Sequence, residues 1–302
     1  MKNLNKFIVI QLIFVFCLLP IFAEGGVFKV DIPEDEKNIT FSDNSPFALS
    51  LATDIPIGTL GIGSYVTSKV LKHSLTFTDY DSSVIYNKDD VNAFDRWAMN
   101  PYSKTFDTFG DIALVTSVAT PVALYTVEAL FGNLELRDGI TLATMYVETA
   151  LLANGIKDIL KVCARRIRPY MYFENPDSAS LENHDFQFSW PSGHTLNAFM
   201  GATFLTYTFC SYYPNSHWKI PVIAVSYALA TGTGALRMLS GNHFFTDVLT
   251  GAALGSAFGF AVPFFHHLAA KNNAMPQARL GKTSEFKIIS MTPMSLQMEI
   301  RL

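Results

Sequence analysis

Charge is scarce in this chain of 302 residues: 16% of it is Asp, Glu, Lys or Arg, below the usual quarter of a globular protein. A cationic excess is missing too. The 22 Lys plus Arg face 26 Asp plus Glu, for a formal net charge of -4, so no overall basic field marks a nucleic-acid binder and an anion site must be built locally. Cysteine is limited to Cys17, Cys163 and Cys210, too few for a disulfide framework. Tryptophan occurs only at Trp97, Trp190 and Trp218, near segment ends, where packing or interfacial anchoring explains it. There is no internal repeat, no low-complexity tract, no Gly-rich nucleotide loop and no Cys, His and carboxylate group at metal-ligand spacing. Neither a metal nor another cofactor is called for. What is abundant is apolar: 49% of residues, 25 of them Phe, with a mean hydropathy of +0.23. That excludes disorder and points to apolar helices, deeply buried or in lipid.

The chain opens with MKNLNK, follows with an apolar run broken only by Gln11, and reaches Ile21-Phe22-Ala23 before Glu24. A basic start, an apolar stretch and a small residue at the cut are the layout of a secretory signal peptide over residues 1–23. A retained anchor is the alternative. Residues 24–109 read as an N-terminal segment whose apolar part, 46–72, is interrupted by Asp54, Pro56 and the glycines and serines from Gly58 to Ser64, so a helix that is broken, or packed against protein rather than lipid, is expected. Five long apolar segments follow at 110–131, 138–160, 193–212, 219–237 and 244–268, each about long enough to cross a bilayer. The fold class is therefore all-α, a bundle of five to six long apolar helices with its core at 110–270. A tail at 271–302 contains SLQMEIRL, whose alternation allows a short C-terminal β-hairpin. Short links make neighbouring helices antiparallel. That arrangement puts Cys163 and Cys210 near opposite ends, and no disulfide is expected.

Three clusters carry chemistry. Lys161 and Arg168 close the second long helix, seven residues apart and so on nearly one face, before Pro169. Two such cations clamp an anion, although a basic helix end also complements the macrodipole or a headgroup region. Pro191-Ser192-Gly193-His194 opens the next helix: Ser192 can cap it, Gly193 lets a ligand approach free backbone N–H groups, and His194 stands beside any bound anion, placed to donate a proton. The ordinary alternative is a serine cap with an incidental histidine. Arg237, His243 and Asp247 flank a Ser240-Gly241-Asn242 turn. His243 and Asp247 at i and i+4 share a helix face, so the carboxylate can accept a hydrogen bond from one ring nitrogen and leave the other free to attack. In isolation a structural His–Asp pair is the commoner explanation. Antiparallel helices bring all three clusters to one end of the bundle, and this points to phosphoryl transfer without a metal.

As a set, Lys161 to Pro169, Pro191 to His194 and Arg237 to Asp247 resemble the three-part signature of the type 2 phosphatidic acid phosphatase and vanadium haloperoxidase superfamily, over roughly residues 110–268. One position departs: Leu236 stands where the family usually has serine. The resemblance implies His243 as the nucleophile of a phosphohistidine intermediate, Asp247 as its orienting base partner and His194 as the general acid. Lys161, Arg168, Ser192, Gly193 and Arg237 would hold the phosphoryl oxygens. The expected activity is hydrolysis of a lipid phosphate monoester or diphosphate on the outer side of a membrane. A vanadate-dependent haloperoxidase, a soluble periplasmic acid phosphatase and a non-enzymatic headgroup binder are the competing readings. Glu128 and Glu148 interrupt the apolar segments, which favours the soluble alternative. His266 and His267 are read as closing the last helix, and the loop residues Glu174, Asp177, His184 and Asp185 as lying near the site by sequence without a role in it.

Overall fold

Small residues decide where the helices meet. A computed structural model of the chain describes residues 45–74, 77, 79–174, 176, 178–280, 286–292 and 295–300. The leader, Cys17, the polar stretch to residue 44 and Asp177 lie outside the described residues. Eight α-helices run through these segments: α1 Leu51–Ser74, α2 Ala93–Arg96, α3 Lys104–Leu130, α4 Leu136–Ala164, α5 Ser178–Glu182, α6 Gly193–Tyr212, α7 Lys219–Leu239 and α8 Phe245–Leu280. Two strands follow, Phe286–Thr292 and Ser295–Ile300, paired antiparallel with a register shift between Ile288 and Ser290. The fold is an all-α bundle with a terminal hairpin.

Of the two readings of 46–72, a broken helix or one packed against protein, the structure has the second, and the helix is continuous. Pro56 lies in the second turn of α1, and the Gly58–Ser64 run is a packing face. Gly61 lies so close to α4 that an added Cβ would sit 3.3 Å from Leu151 Cβ and from Leu152 N, while Gly155 of α4 receives Ser64 and Tyr65. Small side chains there let two helices approach, and tertiary packing overrides low propensity. The same device joins α6 to α8. Gly251, Gly255 and Gly259 form a ridge on α8; an added Cβ would sit 2.6 Å from Ser192 O at the first and from Met200 O at the third. Between these contacts Met145, Phe204, Leu205 and Val262 fill the core, all at most 2% exposed.

Among the described residues three helices, not five, are long and apolar enough to cross a membrane: α3, α7 and α8. Buried residues make up only 17%, 28% and 33% of their most apolar windows, so most of each window is at least partly exposed. Helices α4 and α6 fall outside that group and bury polar side chains, Thr141, Glu148 and Thr149 on α4 and Thr195, Thr203 and Thr208 on α6. Glu148 of α4 is hydrogen-bonded to His266 Nε2 at 2.8 Å, and Glu128 of α3 accepts from Tyr213 at 3.0 Å. His266 and His267 do not close a helix, because α8 continues to Leu280. His266 is fully buried instead, with Asp54 Oδ1 3.7 Å from its Nδ1. Cys163 and Cys210 are free thiols.

Candidate active site

The first turns of α3, α6 and α8 and the last turns of α4 and α7 meet at one end of the bundle. Ser192 is the N-cap of α6, with its side chain accepting from Thr195 N and its own N–H donating to Asp247 O at 3.1 Å. The cap read from the sequence is therefore present, and it ties the start of α6 to α8. Lys157 lies against the other side of this helix start, since a Cβ at Gly193 would be 3.1 Å from Lys157 Cδ.

Lys161 and Arg168 come together by a different route from the one their spacing predicts. Helix α4 stops at Ala164, Arg165 turns the chain with φ 44, and Arg168 is extended. The two cations therefore do not share a helix face. Arg168 is drawn in by Phe186 O, which accepts its backbone N–H at 2.8 Å, and is only 5% exposed. Its Nε and Nη2 reach the Asp185 backbone oxygen and carboxylate at 2.9 and 2.5 Å, and Nη1 donates to Asn242 Oδ1 at 2.9 Å. The Asp185 carboxyl, opposed by burial but held by Arg168, Lys161 and Lys72, stays below the usual carboxylate range. Lys161 Nζ donates to Phe188 O at 2.5 Å; burial, reinforced by Arg168, pushes its pKa down to about 7.

Arg237 is equally buried. Its Nη1 bonds Asp107 Oδ1 at 2.6 Å, and the same oxygen accepts from Asn242 Nδ2 at 2.9 Å. Asn242 thus links the two guanidinium groups, one through its oxygen and one through Asp107. Gly110 of α3 makes room for this, its position lying 3.2 Å from Arg237 Cδ when a Cβ is added. Gly241 turns the chain with φ +73 so that Asn242 and His243 face back toward Arg237.

His243 is 1% exposed and precedes α8 rather than lying on it. Its Nδ1 stands 3.7 Å from Asp247 Oδ2, beyond hydrogen-bond length, which corrects the direct bond expected from the i, i+4 spacing. The carboxylate is engaged elsewhere: Oδ2 accepts from Ser189 Oγ at 2.5 Å and Phe244 N at 2.9 Å, and Oδ1 from Arg166 Nη1 at 2.6 Å. Burial pushes the His243 imidazole well below its ordinary range, and Arg168, Lys161, Arg237 and His194 add to the shift. A shift in that direction favours the neutral ring, which keeps a lone pair available. His194 points to α3, where its Nε2 is 2.7 Å from Asp111 Oδ1.

All eight residues singled out from the sequence lie at this end of the bundle. Sequence reasoning missed Asp95, Asp107, Asp111, Arg166, Asp185, Ser189 and Asn242, which hold the others. Asp107 and Asp111 carried a signal, two carboxylates at i, i+4 opening an apolar helix. Asp95 carried none. It bonds Arg166 Nη2 at 2.6 Å and accepts from Thr246 N at 2.8 Å, contacts that cross about 70 and 150 positions of sequence. Burial would raise the Asp95 carboxyl, but Thr246, Arg166 and Asn92 together keep it below its ordinary value.

Residues 142–271 match the family model described as PAP2 superfamily. Phosphatidylglycerophosphatase B of Bacillus subtilis is 30% identical over 152 residues, covering 50% of this chain and 68% of that one. The chain belongs to the PAP2 superfamily. A PA-phosphatase related-family protein of Dictyostelium discoideum is 28% identical over 131 residues, 41% of this PAP2 chain. The match spans about half, 48%, of that relative's length. A crystal structure of a transmembrane PAP2 type phosphatidylglycerolphosphate phosphatase from Bacillus subtilis aligns over 68% of this chain and 96% of its own, at 21% identity and a TM-score of 0.42. The PAP2 match includes Lys161, Arg168, Ser192, Gly193, His194, Arg237, His243 and Asp247 and begins after Asp95, Asp107 and Asp111.

Proposed function

We propose that this PAP2 protein is an exported, membrane-embedded phosphatase that hydrolyses a lipid phosphate monoester or diphosphate through a phosphohistidine, with its site on the outer side. The observation that carries the reading is a buried imidazole at His243, tied by its backbone N–H to Arg237 O at 3.2 Å and following Asn242, whose Oδ1 accepts from Arg168 at 2.9 Å, with the start of α6 fastened to the same turn through Ser192 N and Asp247 O. Cations and free helix N–H groups grip phosphoryl oxygens and stabilise the charge that builds as bonds change. With Nδ1 turned toward Asp247, Nε2 of His243 attacks phosphorus and the ester P–O bond breaks. Its electron pair leaves on the oxygen, which takes a proton from His194. Water then adds to the phosphohistidine, the P–N bond returns its pair to His243, and His194 accepts the water proton.

Lipid substrate and membrane placement are supported by the outward apolar side chains of α3, α7 and α8, among them Phe109, Val122, Ile220, Val225, Phe260 and Phe265, each 45% or more exposed. A face of that kind is stable in hydrocarbon and costly in water. Export rests on the leader at 1–23. The testing experiment compares wild type with His243→Ala on phosphatidate, phosphatidylglycerophosphate, a polyprenyl diphosphate and a soluble phosphomonoester. Turnover of a lipid substrate, trapping of acid-labile phosphate on the chain, and loss of both in the variant are expected. Full activity of His243→Ala removes the proposed nucleophile, and preference for the soluble compound removes the lipid reading.

A further inference from the structure

A cavity of about 220 Å³ opens between α1 and α4, on the Lys161 side of the site. It is lined by Lys69 and Lys72 of α1 and by Lys157 and Lys161 of α4, with Asp158, Asp185 and the Phe188 ring among the other walls. Lys69, Lys72 and Lys157 outnumber the two carboxylates even without Lys161, so the cavity is positive, and Asp185 is already engaged by Arg168 at 2.5 Å. Asp158 is shared between Lys157 at 3.1 Å and Lys69 at 3.8 Å. Lys72 lies 5.6 Å over the Phe188 ring, whose backbone oxygen is the one Lys161 holds. The cavity adjoins the phosphoryl cradle in two ways: Lys161 belongs to both, and Lys157 packs on the Gly193 turn. Concentrating lysines this closely costs self-repulsion, which an anion relieves.

We propose that this lysine cavity is a second anion subsite that holds the inner, non-transferred phosphoryl group of a lipid diphosphate while the outer group meets His243. The inference rests on the phosphatase reading and narrows its substrate class. In the step it serves, His243 Nε2 bonds to the outer phosphorus as the bridging P–O bond breaks. The electron pair stays on the bridging oxygen, and the lipid monophosphate that departs takes the His194 proton. Lys69, Lys72 and Lys157 offset the charge that gathers on it. Two of these lysines stand on α1, before the segment that matches the superfamily, so the subsite is a property of this chain's N-terminal helix.

The test uses the full chain in detergent micelles with farnesyl diphosphate and farnesyl monophosphate, which differ by one phosphoryl group. Lys69 and Lys72 are exposed, and replacing both with Gln leaves the core packing intact. The K69Q/K72Q variant is expected to lose about tenfold or more in kcat/KM on the diphosphate relative to its loss on the monophosphate, since hydrogen bonds to charged groups are individually worth that much. Equal losses on both substrates, or none on either, overturn the subsite. A second measurement does not need turnover: calorimetric binding of methylenediphosphonate and of inorganic phosphate to His243→Ala. Tighter binding of the diphosphonate that disappears in K69Q/K72Q/H243A supports the subsite, and equal affinity for the two anions refutes it. Wild type that binds the diphosphonate yet turns over neither farnesyl compound instead refutes the phosphatase reading.

Discussion

Arg166 and Asp247 form an ion pair of 2.6 Å inside the bundle, and it is this pair, rather than a bond to His243, that fixes the carboxylate beside the imidazole. The other arm of Arg166 reaches Asp95 at 2.6 Å, and its guanidinium lies 4.1 Å over the Phe244 ring. One arginine thus locks α2, the end of α4 and the start of α8 together.

Replacing Arg166 with Ala leaves two buried carboxylates unpaired, a change that typically costs about 3–5 kcal/mol. A lowered melting temperature is expected, together with a fall in kcat about tenfold or larger, because Asp247 is released. Asp95→Asn tests positioning more gently. It keeps the shape and removes one charge, so kcat drops while KM holds, and His243 loses activity over a shifted pH range. Unchanged kcat and pH profile in Asp95→Asn sink the positioning role.

Burial holds the His194 imidazole below its ordinary range, and Asp111, at 2.7 Å, offsets part of that and so favours the protonated form that a general acid needs. Asp111→Asn is therefore expected to move the basic limb of the kcat/KM profile to lower pH and to cut kcat by about ten- to a hundredfold, the range of a weakened general acid. A substrate with a good leaving group, such as a nitrophenyl phosphate, needs no acid and recovers most of the loss. Equal losses on both substrates argue against the assignment.

Lys161 titrates near pH 7 because it is buried beside Arg168. Its depressed pKa means that the empty site loses this cation as pH rises through about 7, and an incoming oxyanion must then draw a proton with it. KM is expected to rise between about pH 7 and 9 in wild type. Lys161→Arg stays charged throughout that window. Its KM is flat there apart from the ionisation of the substrate, which both proteins share. Parallel curves for the two proteins exclude Lys161 as the group responsible.

Gly255 of α8 faces the Leu196 carbonyl oxygen with no room for a methyl group. Gly255→Ala pushes α6 away from α8, at a cost of about 1–3 kcal/mol for overpacking. Calorimetry should show a melting temperature lower by roughly 2–4 °C per kcal/mol. Because α6 begins with Ser192, Gly193 and His194, phosphate release falls with it, whereas Gly232→Ala on α7, which meets nothing within 4 Å, serves as the control.

Much of this protein was written along the chain. Apolar length and short links fixed a helical bundle, and Ser192 before a helix fixed its cap, because both depend on local bonds that adjacent residues satisfy. That the eight candidate residues gather at one end of the bundle was legible because each cluster sits where a helix starts or stops, and antiparallel packing then leaves one place for them to meet. The continuity of α1 and the passage of α8 through His266 were not legible. Glycines that weaken an isolated helix strengthen one pressed against a neighbour, and a buried Glu148 makes a mid-helix histidine stable. Tertiary structure alone decided what holds the site. Asp95, Asp107, Asp111 and Asp185 reach their partners across 17 to 151 positions, or through a turn at Arg165 that no periodicity records. Sequence fixes which groups can carry charge; only the folded chain, by removing water from around them, decides which must pair and which remain free to react.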